Sequence, residues 1–223
     1  KIFNVKQGTP EWLDARLGLV TASELDALIS PTWKIRTGEG PRTYLYRKLA
    51  ECWMECPLQS FGSFATDQGN ALEPEARPWF ELTHDCEVSI KEGFIVGDDG
   101  RSGCSPDGII WDPERKRLPE GLEIKAPQEV NAVRYAIEGV LPADYELQVH
   151  GSMFVTGFSR WHFVSYSRKL PKLHLVIERD EKKCAIIADA LAGFYERFDA
   201  EWLKLSAAAD EPRSNPFKRI SSR

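Results

Sequence analysis

The sequence has no long apolar run, and its first residues, Lys1-Ile2-Phe3-Asn4-Val5, lack the apolar stretch of a secretion signal. No segment is therefore expected to enter a membrane, and a cytoplasmic protein is expected. Basic residues are not in excess: 29 Lys and Arg stand against 34 Asp and Glu, a net charge of −5. That excludes a protein holding nucleic acid by diffuse attraction, which would gather Lys and Arg on its contact face, so any DNA contact must be local. The five cysteines are an odd count, better read as reduced thiols than as a disulfide framework. Cys52 and Cys56 have a metal-like gap, but Cys86, Cys104 and Cys184 are scattered and no Cys or His pair completes a tetrad.

Linkers, internal repeats and low-complexity tracts are also missing, so 223 residues with 42% hydrophobic composition are expected to build one domain, 1–223, around one core. The Ser/Pro/Arg-rich end, from about residue 207 to 223, is expected to be loosely held. Two stretches lean basic, Lys34, Arg36, Arg42, Arg47 and Lys48, then Arg213, Lys218, Arg219 and Arg223. Each, taken alone, reads as solvated surface charge.

Helix signals fill the first third. Thr9-Pro10-Glu11 is a helix start, and Thr21-Ala22-Ser23-Glu24 has capping-box spacing ahead of Leu25, Leu28 and Ile29. Pro41 opens a further helix, and residues 63 to 84 continue the helical pattern, with Pro74 and Pro78 expected to kink or interrupt it. Residues 86–96, 102–111 and 118–126 then alternate like antiparallel strands, punctuated by Asp98-Asp99-Gly100 and Asp107-Gly108, with a polar loop at 112–117. Helices at 128–138 and 142–155, strands at 161–167 and 174–178, and a long amphipathic helix carrying Ile186, Ile187, Leu191, Phe194, Phe198 and Trp202 complete the pattern. The predicted class is α/β (α+β), a central mixed sheet flanked by helices.

One constellation suits phosphodiester cleavage, which needs carboxylates to hold divalent ions and a group that helps make hydroxide from water. Ser105-Pro106-Asp107-Gly108 is followed by Leu122-Glu123-Ile124-Lys125. In a strand, Glu123 and Lys125 point to one face while Ile124 offers its carbonyl. Glu-x-Lys also occurs at Glu114-Arg115-Lys116 and Glu181-Lys182-Lys183, so the tripeptide alone has little specificity. Only Glu123 and Lys125 are embedded in apolar sequence, where burying charge costs several kcal/mol unless it is paired or metal-bound. A plain buried ion pair, or an edge strand with one face in water, accounts for them equally well at this level.

More of the chain carries a pattern. Asp107 with Glu123-x-Lys125 resembles the PD-(D/E)XK nuclease signature. Arg16-Leu17-Gly18, Thr21-Ala22-Ser23-Glu24, Gln68-Gly69 with Glu73 and Ala76-Arg77, Gly103-Cys104-Ser105-Pro106-Asp107-Gly108, Leu147-Gln148-Val149 and Val176-Ile177-Glu178-Arg179-Asp180-Glu181 resemble, in order, the motifs of the lambda exonuclease and YqaJ-like viral recombinase family. The resemblance implies a restriction-endonuclease-like core. It implies Asp107, Glu123 and the Ile124 carbonyl as metal ligands, Lys125 as the group that orients or activates water, and Glu73 as completing the acidic cluster. It also implies a 5′-phosphate pocket of Arg16, Ser23, Ser105 and Gln148, whose guanidinium, hydroxyls and amide suit phosphate oxygens. Trp12 is core or contact on this reading, and Trp33 with the basic residues after it is a possible duplex contact.

The activity implied is magnesium-dependent 5′-to-3′ digestion of one strand at a double-stranded DNA end, with Mn2+ expected to substitute. Mononucleotides would be released and a 3′ single strand left. The implied partners are two further copies in a ring-shaped homotrimer and a single-strand annealing protein. An endonuclease of the same fold and an inactive end-binding module are the competing readings.

Overall fold

A computed structural model describes residues 1–58, 64–90, 93–111 and 118–217. The loop expected at 112–117, with Glu114-Arg115-Lys116, and the basic residues Lys218, Arg219 and Arg223 lie outside the described residues. Thr9 caps the first helix, α1 (Pro10–Arg16), its hydroxyl accepting from the Trp12 N–H, with proline in the first turn. The expected capping box after it does not form. Thr21 makes no side-chain cap, and a short 3-10 helix (Ala22–Ala27) replaces the α-helix. The Thr21 hydroxyl is drawn instead to the Glu24 carboxylate at 3.0 Å. Helices α2 (Glu39–Met54) and α3 (Phe64–His84) follow.

Pro74 and Pro78 do not end α3, which runs unbroken through both. Proline removes backbone bonds in a helix interior, but Ala76 and Phe80 on the same helix are fully buried. Packing of that face outweighs propensity.

Among the described residues nine strands form two mixed sheets flanked by helices, so the expected class holds with a second, smaller sheet beside the central one. The mixed five-stranded sheet has the order β3 (Val88–Ile90), β6 (Gly108–Ile110), β7 (Glu120–Lys125), β8 (Arg160–Ser165), β9 (Leu173–Glu178). Only the β7–β8 pair in it is parallel. The second sheet, β1 (Ile2–Phe3), β4 (Phe94–Val96), β5 (Ser102–Cys104), β2 (Val20–Thr21), brings the N-terminal motif beside the Ser-Pro-Asp-Gly turn through the parallel pairing Thr21↔Gly103.

Period-two alternation in β7 decides what its residues touch. Leu122 and Ile124 pack with Val164 and Tyr166 under Ala76 and Phe80 of α3. The opposite face turns towards α5 (Ala143–Thr156), whose Val149 and Met153 pack on Trp161 and Phe163. Gly108 is needed at the turn into β6, since a Cβ there would stand 2.4 Å from Val88 Cγ1. Helix α4 (Glu129–Glu138) buries Ala132 and Tyr135, and α6 (Glu181–Ala207) packs Ile187, Leu191, Phe194 and Phe198 into the largest core cluster.

The end of the chain is not loose as far as it is described. Ser206 Oγ donates to the Arg213 carbonyl at 2.9 Å and Trp202 Nε1 to the same oxygen at 3.2 Å. Asn215 and Phe217 are buried, Phe217 against the rings of Tyr195 and Phe198. An aromatic anchor in an otherwise polar segment thus holds residues 210–217 to α6.

Candidate active site

Glu123 lies at 1% exposure in the middle of β7, on the face towards α5. Its Oε1 takes the Lys125 ammonium at 2.5 Å and a hydrogen bond from Gln148 Nε2 at 2.6 Å. Its Oε2 is buried with no hydrogen-bond partner among the described residues. Asp107, at the end of the Ser-Pro-Asp-Gly turn, accepts from the Ile124 N–H through Oδ2 at 2.6 Å, and its own N–H donates to the Leu122 carbonyl at 3.0 Å. The pairing of β6 with β7 stops at Gly108↔Leu122. Along a strand, the N–H and C=O of one residue point the same way. The Ile124 carbonyl therefore faces the open edge occupied by Asp107, whereas the Lys125 carbonyl faces β8 and accepts from Tyr166 N.

Burial pushes the Glu123 carboxyl up to about 7 against the pull of the Lys125 ammonium, with the Asp107 charge adding to the rise. Burial likewise raises Asp107, opposed by Lys125 and the Ile124 N–H. Burial works against the charge on Lys125, but Glu123 and Asp107 together outweigh it and hold the ammonium above its ordinary value. A buried carboxylate with an orphaned oxygen, beside a half-buried one, is short of positive charge. Among the described residues no group of three His, Cys, Asp or Glu side chains is placed to hold a metal. Two carboxylates and a strand-edge carbonyl, with waters completing the shell, nevertheless fit magnesium, which takes few protein carboxylates.

Glu73 stands one step back. Arg77, one helical turn later, pairs with it at 2.5 Å and donates through Nε and Nη2 to the Asp107 carbonyl at 3.1 and 3.0 Å. Arg77 thus docks α3 onto the turn that carries Asp107, while the Glu73 charge is near enough to raise Glu123.

A second group lies beside the first. The Arg16 guanidinium sits 4.1 Å from the centroid of the Trp12 ring, and its Nη2 donates to Thr21 Oγ1 at 3.3 Å. Its Nε is buried with no hydrogen-bond partner among the described residues. Trp12 Nε1 donates to Ser105 Oγ at 2.8 Å, and exposed Ser23 lies 3.2 Å from Thr21 Oγ1. Burial lowers the pKa of Arg16 against the attraction of Glu24, so the cation is poorly compensated.

A model of the YqaJ-like viral recombinase domain matches residues 11–159, more than half of the chain. The chain belongs to the YqaJ-like viral recombinase family. It is similar to LHK-Exo in its crystal structure with dAMP, at 28% identity over 90% of this chain and 98% of that one, with a TM-score of 0.76. A second structure of that alkaline exonuclease, from Laribacter hongkongensis, gives 0.75 at 28% identity over the same shares. A phage-related exonuclease from Haemophilus somnus 129PT, 16% identical over 84% and 96% of the chains, shares the fold at a TM-score of 0.63. No curated protein matches the sequence. Family and relatives support a nuclease role on a restriction-endonuclease-like fold.

Within this YqaJ-like chain, the sequence-predicted residues converge in two linked groups. Asp107, Glu123, Lys125 and Gln148 meet at the open edge of β7. Arg16, Ser23 and Ser105 are joined through Thr21 and Trp12. Gln148 belongs by contact to the first group rather than the second. Of the basic run, Lys48 is buried between Glu24 and Glu51 at 3.1 Å from each, and Arg47 reaches Glu24 at 2.8 Å. Trp33 bonds Glu146 through Nε1 at 2.9 Å and meets the His150 ring edge-on, so it belongs to the body of this YqaJ-like fold. The docking role of Arg77 was missed, although its position four residues after Glu73 on one helix face marked it as a partner.

Proposed function

We propose that the chain is a magnesium-dependent 5′-to-3′ exonuclease acting on double-stranded DNA ends, with Mn2+ able to substitute. The observation that carries this is the orphaned Oε2 of a buried Glu123 whose carboxyl feels the Asp107 charge, with Lys125 on the same carboxylate. Asp107, Glu123 and the Ile124 carbonyl would hold the cation. Such an ion supplies Lewis-acid polarisation of the phosphate and makes hydroxide available at neutral pH.

The chain's own groups do the rest. The charged Lys125 orients the attacking water and faces the negative charge that gathers on the phosphate. Gln148, bonded to Glu123 by one amide hydrogen, has a second to give to a phosphate oxygen. Arg16, Ser23 and Ser105 receive a 5′-phosphate, Arg16 as a poorly compensated cation. A pocket for the end beside a cleaving site registers the chain one nucleotide at a time. A deoxynucleoside 5′-monophosphate then leaves, the class of molecule bound in the similar LHK-Exo structure.

Glu73 acts through Arg77 on the Asp107 turn in this scheme and adds negative potential to the site. A homotrimeric ring would keep an acidic chain on its DNA by topology, and the 3′ strand produced suits a single-strand annealing protein. Free cysteines agree with work in the cytoplasm. No helix among the described residues is long and apolar enough to cross a membrane.

Digestion of linear duplex with 5′-phosphate or 5′-hydroxyl ends, with magnesium or chelator, tests the proposal against Lys125→Ala. Chelation is expected to abolish digestion, and the variant to lose roughly 10²–10⁴-fold in rate. Relaxed circular duplex should survive. Cleaved circles would establish the endonuclease instead, and undiminished activity in Lys125→Ala would refute the mechanism.

A further inference from the structure

Helix α1 and the turn that carries Asp107 are joined by a side chain that bonds a residue 93 positions away. Trp12 is 7% exposed, and its indole N–H reaches the Ser105 hydroxyl oxygen at 2.8 Å. An indole N–H can only donate. Ser105 must therefore accept on this side, which leaves its own hydrogen to be given to another acceptor. Ser105 is half-buried, two residues before Asp107. On the face of the same indole lies Arg16, whose guanidinium has only donors and whose Nε is unpartnered among the described residues. Two groups thus have hydrogens to offer around one ring, Ser105 at its N–H edge and Arg16 over its face, and an oxyanion is the ligand that accepts both.

We propose that Trp12 is the positioning residue of the end pocket, fixing Ser105 as a donor towards the terminal 5′-phosphate while its ring seats Arg16. The inference rests on the end-pocket assignment made above and adds the device that gives the pocket its donor polarity. Phenylalanine would keep a ring under Arg16 but leave the Ser105 hydroxyl free to rotate. Tryptophan is required at this position for its N–H as much as for its surface.

The experiment is a thermodynamic cycle. Steady-state kinetics with magnesium would be measured on duplexes bearing 5′-phosphate or 5′-hydroxyl ends, for the native chain, Trp12→Phe, Ser105→Ala and the double variant. Trp12→Phe is expected to raise KM for 5′-phosphate ends about tenfold, the effect of one charge-assisted hydrogen bond, with kcat nearly unchanged. Added to Ser105→Ala it should change little further, because both remove one interaction. Placing 3-benzothienylalanine at position 12, which keeps both rings and removes only the N–H, should reproduce the Phe result without a packing change.

If the two substitutions multiply, or KM rises equally on both ends, Trp12 is only a core residue. If the native chain itself ignores the end phosphate, the end-pocket assignment falls and this inference with it. If the native chain discriminates and the Trp12 variants discriminate equally, this inference alone fails.

Discussion

Gln148 Nε2 donates to Glu123 Oε1 at 2.6 Å, so the amide on α5 and the buried carboxylate on β7 act as one unit. The same oxygen holds Lys125 at 2.5 Å, and the amide is therefore one of the two groups that settle which way the carboxylate turns. With Oε1 occupied twice, Oε2 is the oxygen left for the proposed cation.

Gln148→Met keeps the length of the side chain and removes that bond. The apparent Mg2+ affinity is expected to weaken and kcat to fall about tenfold, the effect of one hydrogen bond to a charged group. Rates measured across a magnesium titration check this. A change confined to KM for 5′-phosphate ends would place Gln148 in the end pocket alone.

Magnesium should stabilise the fold through the same carboxylates. Binding to the native state alone at 100 times Kd adds about 2.7 kcal/mol. A rise in melting temperature with Mg2+, reversed by chelator, is expected for the native chain and absent from Asp107→Asn and Glu123→Gln. Calorimetry without DNA separates this from any effect on substrate binding.

What the sequence made legible follows from where side chains had a single explanation. Charges at Glu123 and Lys125 alternating with Leu122 and Ile124 could belong only to a strand with one apolar face, and β7 has that form. The two-residue strands β1 and β2 are too short to show alternation, so the second sheet was invisible. Thr21-x-x-Glu24 had the spacing of a cap, but the side chains bond each other while Thr21 also receives Arg16, a partner that only the tertiary fold supplies. Pro74 and Pro78 signalled a break that the buried Ala76 and Phe80 overrode. Trp12 was visible as a residue but not as a link, because Ser105 is brought to it by the pairing of β2 with β5.

Acid should destabilise the fold through a cluster of three histidines. His162 bonds His174 at 2.9 Å and Glu120 at 2.7 Å, and the tilted His84 ring lies 4.1 Å from that of His174 between centroids. Burial, then the charges of His84 and His162, push His174 down to about 4, and burial and His162 lower His84. A depressed folded pKa means the unfolded chain binds the proton first as pH falls. The stability present above the ordinary imidazole value of 6.5 is thus lost as pH falls towards about 4. His174→Gln keeps a hydrogen-bonding partner for His162 and removes the titration. Melting temperatures from pH 7 to 4 should fall less steeply in this variant, and identical slopes would remove His174 from the acid response.

Lys48 separates the two uses of the basic run. With 2% exposure, and Glu24 and Glu51 each 3.1 Å from its ammonium, it cannot reach a duplex. Removing one partner of such a network leaves buried charge uncompensated and costs about 3–5 kcal/mol, whereas losing a phosphate contact costs affinity that depends on salt. Lys48→Ala is therefore expected to lower the denaturation midpoint strongly while leaving the salt dependence of DNA binding by the folded fraction as it was. Arg42, exposed on α2 and bonded only to Tyr46 and Glu39 among the described residues, is the contrasting site. Arg42→Ala should leave stability within about 0.5 kcal/mol of the native chain. Equal destabilisation by the two substitutions, measured by urea unfolding, would mean that the Glu24–Lys48–Glu51 network does not hold the N-terminal motif against α2.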